Sequence, residues 1–102
     1  MKTTLQAGVA RHVELEVDHE RTIDFMGEKA RVYATPMLVR DIEIACRELL
    51  LAHLDAGEDS VGTRVELDHL AATLMRMKVE LDVRIVEVQG RAVTFEVEGR
   101  DS

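Results

Sequence analysis

Over residues 9–17 the chain settles into an alternation in which Val13, Leu15 and Val17 share one side and Glu14, Glu16 and Asp18 the other. That is the period of a strand with one buried face. Residues 19–33 show no clean period and contain Gly27, which predicts a connection with a short strand or turn around residues 22–26. Thr35-Pro36 reads as a helix start, the Thr hydroxyl serving as N-cap and Pro suiting the first helical position. From there to about residue 54, Leu38, Ile42, Ala45, Leu49 and Ala52 recur at helical spacing, and Gly57 supplies a stop signal. Val39, Cys46 and Leu50 widen the apolar stripe beyond what a surface helix needs, so sheet is predicted to wrap this helix.

Beyond Gly57, Val61, Thr63, Val65, Leu67, His69 and Ala71 fall on one face and Arg64, Glu66 and Asp68 on the other, predicting a second strand. Residues 77–85 alternate against Lys78, Glu80, Asp82 and Arg84, and the phase slips at Val86, where a bulge would re-aim a third strand. Gln89-Gly90 predicts a tight turn into Val93, Phe95 and Val97, which alternate with Thr94, Glu96 and Glu98. The order of strand, connection, long buried helix and successive antiparallel strands gives an α+β domain whose sheet curls around one helix. With 102 residues and no linker or repeat, a single domain over 1–102 is expected.

Composition narrows the function classes. Apolar residues make up 46% and charged ones 32%, the balance of a folding globular chain. Phe25, Tyr33 and Phe95 are the only aromatic residues, too few for base-stacking platforms, and a net charge of −7 repels phosphate backbones and anionic membranes. Neither nucleic acid nor membrane is expected as a partner, whereas an anionic small molecule bound through backbone amides stays admissible. The single cysteine, Cys46, cannot form an internal disulfide, and with no secretory signal the chain is expected in the cytoplasm. Cys46 is assigned to the core as a small hydrophobe.

Three residues are candidates for chemistry, each with a plain structural alternative. Glu43 has Val39, Cys46 and Leu50 as helical neighbours, so it is either a carboxylate on an apolar stripe, raised in pKa by burial, or a flank residue that reaches water or pairs with Arg47. His69 follows Val65 and Leu67 on an apolar strand face, where a histidine is either a hydrogen-bonded core residue or a catalyst. Thr35 caps the helix, and the amides and positive dipole end of that turn suit a polarised carbonyl oxygen. His12, His19 and His53 are read as structural. No Cys-x-x-Cys, His-Glu-x-x-His, Walker loop or Gly-x-Ser-x-Gly occurs, which leaves metal, nucleotide and serine-hydrolase chemistry without a motif.

The strings Tyr33-Ala34-Thr35, Glu43-Ile44-Ala45-Cys46, Gly62-Thr63 and His69-Leu70-Ala71-Ala72-Thr73 resemble the fluoroacetyl-CoA thioesterase group of the hot-dog superfamily. The likeness runs over residues 32–100, including the Val88-Gln89-Gly90-Arg91 hairpin. It implies a hot-dog fold, an antiparallel sheet wrapped around one long central helix. It also implies hydrolysis of a small acyl-CoA, with Glu43 as nucleophile or base, His69 and Thr35 assisting, and the Gly62 amide near the thioester. No metal and no cofactor beyond the CoA of the substrate are implied, and a homodimer or higher homo-oligomer is expected. Two departures stand out. The connection before the helix is short and offers only Phe25 where the fluoroacetyl-specific enzyme has a longer Phe-bearing lid, so fluoroacetate selectivity is unsupported. The family's last strand, which lies inside the sheet, has no counterpart before Ser102. That departure keeps a non-catalytic acyl-CoA-binding or assembly protein open beside the hydrolase, and a hot-dog dehydratase stands third.

Overall fold

The computed structural model describes residues 1–60, 62, 64–67, 69 and 71–102. Its elements are β1 (Ala10–Glu16), β2 (Thr22–Ile23), β3 (Val32–Tyr33), α1 (Thr35–Leu51), β4 (Lys78–Gln89) and β5 (Ala92–Asp101), with single 3-10 turns at His19–Arg21 and Glu28–Ala30. Among the described residues the strands form an antiparallel sheet in the order β1-β4-β5 and a separate β2-β3 pair.

The alternation along β4 becomes its burial. Val79, Leu81, Val83 and Ile85 are all buried on one face, and Leu81, Val83 and Ile85 keep 1% or less of their surface. Val83 and Ile85 pack with Ala45, Leu49 and Leu50 of α1 and with Leu5 and Leu54, while Val79 and Leu81 pack with Val17 and Tyr33. The sheet therefore lies along the helix, as the wide apolar stripe requires. A register shift between Ile85 and Glu87 makes Val86 the extra residue of a bulge, at the position where the sequence phase slips. Gly90 opens the two-residue loop between Gln89 and Ala92 with a φ of +60°, the left-handed first position that a type II′ hairpin turn reserves for glycine.

Three expectations need correction. Thr35 is not the N-cap: Ala34 holds that position with extended backbone and no side chain caps the turn, because the Thr35 hydroxyl is engaged elsewhere. The helix ends at Leu51, three residues before the expected limit, with Ala52 as C-cap. The strand expected over residues 61–71 is absent from 62, 64–67 and 69, none of which is strand-paired; Val61, Thr63, Asp68 and Leu70 lie outside the described residues. Alternation supplies a buried face but not a hydrogen-bonding neighbour, and β5 pairs with β4 alone among the described residues. The stretch rejoins the fold at the Val32–Leu74 bridge.

Candidate functional site

The N-terminal end of α1 is built around a buried carboxylate. Asp41 shares the apolar side of the helix with Leu38 and Ala45, and its side chain is only 4% exposed. It accepts from Arg21 Nε at 2.9 Å and Nη2 at 3.2 Å, from the Tyr33 phenol and, more distantly, from Arg40 Nη2 at 3.4 Å, so each oxygen has two donors to meet. Burial first, and then the Asp41 carboxylate, push the Tyr33 phenol well above the usual tyrosine range, which keeps it protonated as a donor. Arg21 is anchored in turn by Asp18 at 2.7 Å, which fastens the 3-10 turn before β2 to the helix.

Thr35 begins α1 and points its hydroxyl at His69, with Oγ1 2.9 Å from Nδ1. This couple is the contact that sequence spacing alone could not reveal. The half-buried His69 ring also meets Tyr33 edge-on, with ring centroids 6.5 Å apart and planes 81° to each other. The amides of the first turn are less available than expected. Pro36 has no N–H, and Met37 and Leu38 both donate to the Ala34 carbonyl, at 2.9 and 3.0 Å.

Glu43 is exposed rather than buried in the apolar stripe. It does not pair with Arg47, whose guanidinium is bidentate to Asp59 at 3.1 Å on both oxygens. Its carboxylate lies directly against Gly62, so close that a Cβ on that residue would collide with it. Glu43, Gly62 and His69 all line one open cleft of about 2510 Å³, floored by Leu38 and Ile42 of α1 and walled by Phe95 of β5. Eight helical residues separate Thr35 from Glu43, about 12 Å along the axis. The structure thus forms two couples, Thr35 with His69 and Glu43 with Gly62, and no hydrogen bond joins Glu43 to His69 among the described residues.

Cys46 is half-buried against the core, and burial together with the nearby Glu43 charge pushes its thiol up to about 11, which disfavours the nucleophilic thiolate. Of the other histidines, His53 takes a hydrogen bond with Thr4 at 2.8 Å and His19 stays at the surface. His12 sits 2.6 Å from Asp82 on the outer face of the sheet, with Glu14 and Glu80 close enough that one donor atom of each of the three lies within 4.8 Å of the others. The β1-β4 register assembles this exposed cluster from residues far apart in sequence, which is why no motif announces it. Asp41 was also missed, although its spacing from Leu38 and Ala45 carries the same signal used to select Glu43.

The family described as "FlK: Fluoroacetyl-CoA-specific thioesterase" matches residues 17–102. A fluoroacetyl-CoA thioesterase of Streptantibioticus cattleyicolor is 32% identical over 74 residues, which cover 72% of this chain and 53% of that protein. The chain therefore spans about half the length of the curated relative it matches. A thioesterase superfamily member from Thermus thermophilus superposes with a TM-score of 0.82 at 34% identity, covering 93% of this chain and 71% of that one. A hot-dog-like protein from Thermanaerovibrio acidaminovorans, at 23% identity, shares the fold with a TM-score of 0.83 over 93% of this chain and 71% of its own. No helix of the described residues is long and apolar enough to cross a membrane.

Proposed function

Because this chain belongs to the fluoroacetyl-CoA-specific thioesterase family and has the hot-dog fold, we propose that it hydrolyses a small acyl-CoA thioester in the cleft between α1 and β5. The observation that carries the reading is the exposed Glu43 carboxylate, held against Gly62 in the same cleft that His69 lines. An exposed carboxylate without a cationic partner has free lone pairs to offer a substrate or a water.

Hydrolysis adds water across the C–S bond, giving a carboxylic acid and free CoA thiol. Glu43 serves by one of two routes. As a base it takes a proton from water while the water oxygen bonds to the thioester carbon; as a nucleophile its own oxygen forms that bond, and water then cleaves the resulting anhydride. In both routes the sulfur leaves with the C–S electron pair and is protonated. In this reading His69 assists that charge movement: when the Thr35 hydroxyl donates to Nδ1, the ring proton resides on Nε2, from which it can be given away. The carbonyl oxygen, in this reading, is met by the Gly62 amide, and the glycine's lack of a side chain leaves room for the Glu43 carboxylate beside it. On the same reading the acyl-thioester group lies between the two couples, which stand about 12 Å apart along α1. No metal enters these steps, and a homodimer or higher homo-oligomer in the cytoplasm is the proposed working form.

A second reading, non-catalytic acyl-CoA binding or an assembly role, draws on the outer edge of β5, which faces the cleft unpaired among the described residues. The two separate on one experiment. Purified protein is given a panel of acyl-CoAs and free thiol is followed by a colorimetric reagent, with binding measured in parallel by calorimetry. Turnover that His69→Ala lowers by about a hundredfold or more supports hydrolysis. Saturable binding with no thiol released over hours supports the second reading, and an absence of both removes acyl-CoA as the ligand.

A further inference from the structure

We propose that Tyr33, anchored by Asp41, is the positioning residue that holds the His69 ring with Nδ1 toward Thr35. This deepens the hydrolase reading and rests on His69 belonging to its site.

Thr35 and His69 are 34 positions apart, and His69 lies in a stretch whose described residues carry no strand pairing. An imidazole in such a stretch has two soft torsions, and one hydrogen bond does not fix both. Tyr33 supplies the remaining restraint at two levels. Its backbone amide donates to the Thr73 carbonyl at 2.7 Å, next to the Val32–Leu74 bridge and the Met75 amide bonded to the Arg31 carbonyl at 3.0 Å. β3 therefore ties down the chain four residues beyond His69, while Tyr33 itself stands two residues before Thr35. Its side chain then meets the imidazole edge-on, at 6.5 Å between centroids and 81° between planes, which obstructs rotation of the histidine ring.

The tyrosine is itself unable to move. It is 3% exposed and its hydroxyl is held by Asp41, whose second oxygen is occupied by Arg21 Nη2 at 3.2 Å, with Arg40 Nη2 at 3.4 Å. The two guanidinium groups offset the buried negative charge. The order of support runs from Arg21 to Asp41 to Tyr33 to His69 to Thr35, and its last member opens α1. Tyr33 reaches the wall of the same cleft, and the role proposed for it runs through His69, whose ring it meets edge-on.

The test reads the imidazole directly. In the wild-type chain, ¹⁵N NMR of His69 is expected to show one dominant neutral tautomer, with cross-relaxation between its ring protons and those of Tyr33. Tyr33→Phe keeps the ring but not the anchor, and is expected to retain the contact with kcat lowered only a few-fold. Tyr33→Leu removes the ring and is expected to bring both tautomers into averaging, with kcat down by about a hundredfold and KM within about twofold. A Tyr33→Leu variant that folds and keeps the wild-type His69 spectrum and kcat overturns the proposal. Should Tyr33→Leu fail to fold, the wild-type spectrum decides: a His69 ring averaging freely between tautomers, without contact to Tyr33, overturns it equally. A wild-type chain with no thioesterase turnover but a pinned His69 tautomer would contradict the hydrolase reading and leave the positioning role standing.

Discussion

Asp41 and Glu43 stand two residues apart on α1 and live in opposite surroundings. Asp41 faces the packed end of the domain, where Arg21 and the Tyr33 phenol meet both its oxygens and its side chain keeps 4% of its surface. Glu43 faces the cleft, exposed, with a glycine against its carboxylate and no salt bridge among the described residues. A carboxylate whose lone pairs are all taken inside the fold has nothing left for a substrate, and its work is structural. One whose lone pairs face a cleft contributes little to stability and is available for chemistry. The helix thus uses one functional group for two tasks, and the 200° turn between positions i and i+2 separates them.

The contrast breaks most visibly at Asp41. Asp41→Ala leaves the buried Tyr33 hydroxyl without its acceptor and Arg21 with Asp18 alone, and thermal or urea unfolding is expected to register a loss of about 1–3 kcal/mol. Glu43→Ala in the same assay is expected to stay within about 0.5 kcal/mol of wild type. A large destabilisation at Glu43, or none at Asp41, would reverse the assignment.

Gly62 sharpens the cleft side of the comparison. Gly62→Ala sets a new Cβ against the Glu43 carboxylate. The flexible end of Glu43 can swing away. The expected outcome is a folded variant with nearly unchanged melting temperature and a kcat lowered by about tenfold or more, since displacement of a reacting group by about 1 Å is sufficient for such a loss. Unchanged kinetics would detach Gly62 from the site.

The smallest effect belongs to Cys46, one turn from Glu43. Its raised pKa means that the folded state disfavours the thiolate, so reactivity is low at neutral pH and grows as pH rises toward about 11. Alkylation by iodoacetamide at pH 8 is expected to run about a hundredfold slower than for a free cysteine, and Cys46→Ala to leave turnover within about twofold. Rapid alkylation with loss of activity would contradict the assignment of the thiol to the core.

The same carboxylates show what sequence can and cannot supply. The apolar spacing of Leu38, Ile42, Ala45 and Leu49 and the alternation of β4 were legible because each pattern is a direct image of one buried face. The slip at Val86 and the turn at Gly90 were legible for the same reason: both are local. Which polar residue on a wide stripe is buried is not local. Periodicity drew attention to Glu43, yet the deep position belongs to Asp41, because only there do Arg21 and Tyr33 arrive from another part of the chain. The hydroxyl of Thr35 likewise has two suitors, the helix amides and an imidazole 34 residues away, and the distant one wins. The stretch holding Val65, Leu67 and His69 alternates as well as β1 does, but a strand needs a neighbour, and alternation does not name one. The three spaced residues were found through their resemblance to a family; their pairing was found only in the fold.

The central claim is that Glu43 drives thioester hydrolysis from an exposed position that the fold does not need. It is tested most directly by measuring free CoA release by wild type and Glu43→Gln side by side on the best substrate of the acyl-CoA panel, at equal melting temperature. A loss of kcat of about a hundredfold or more, with the fold intact, is the result expected. Equal rates from the two proteins would contradict it.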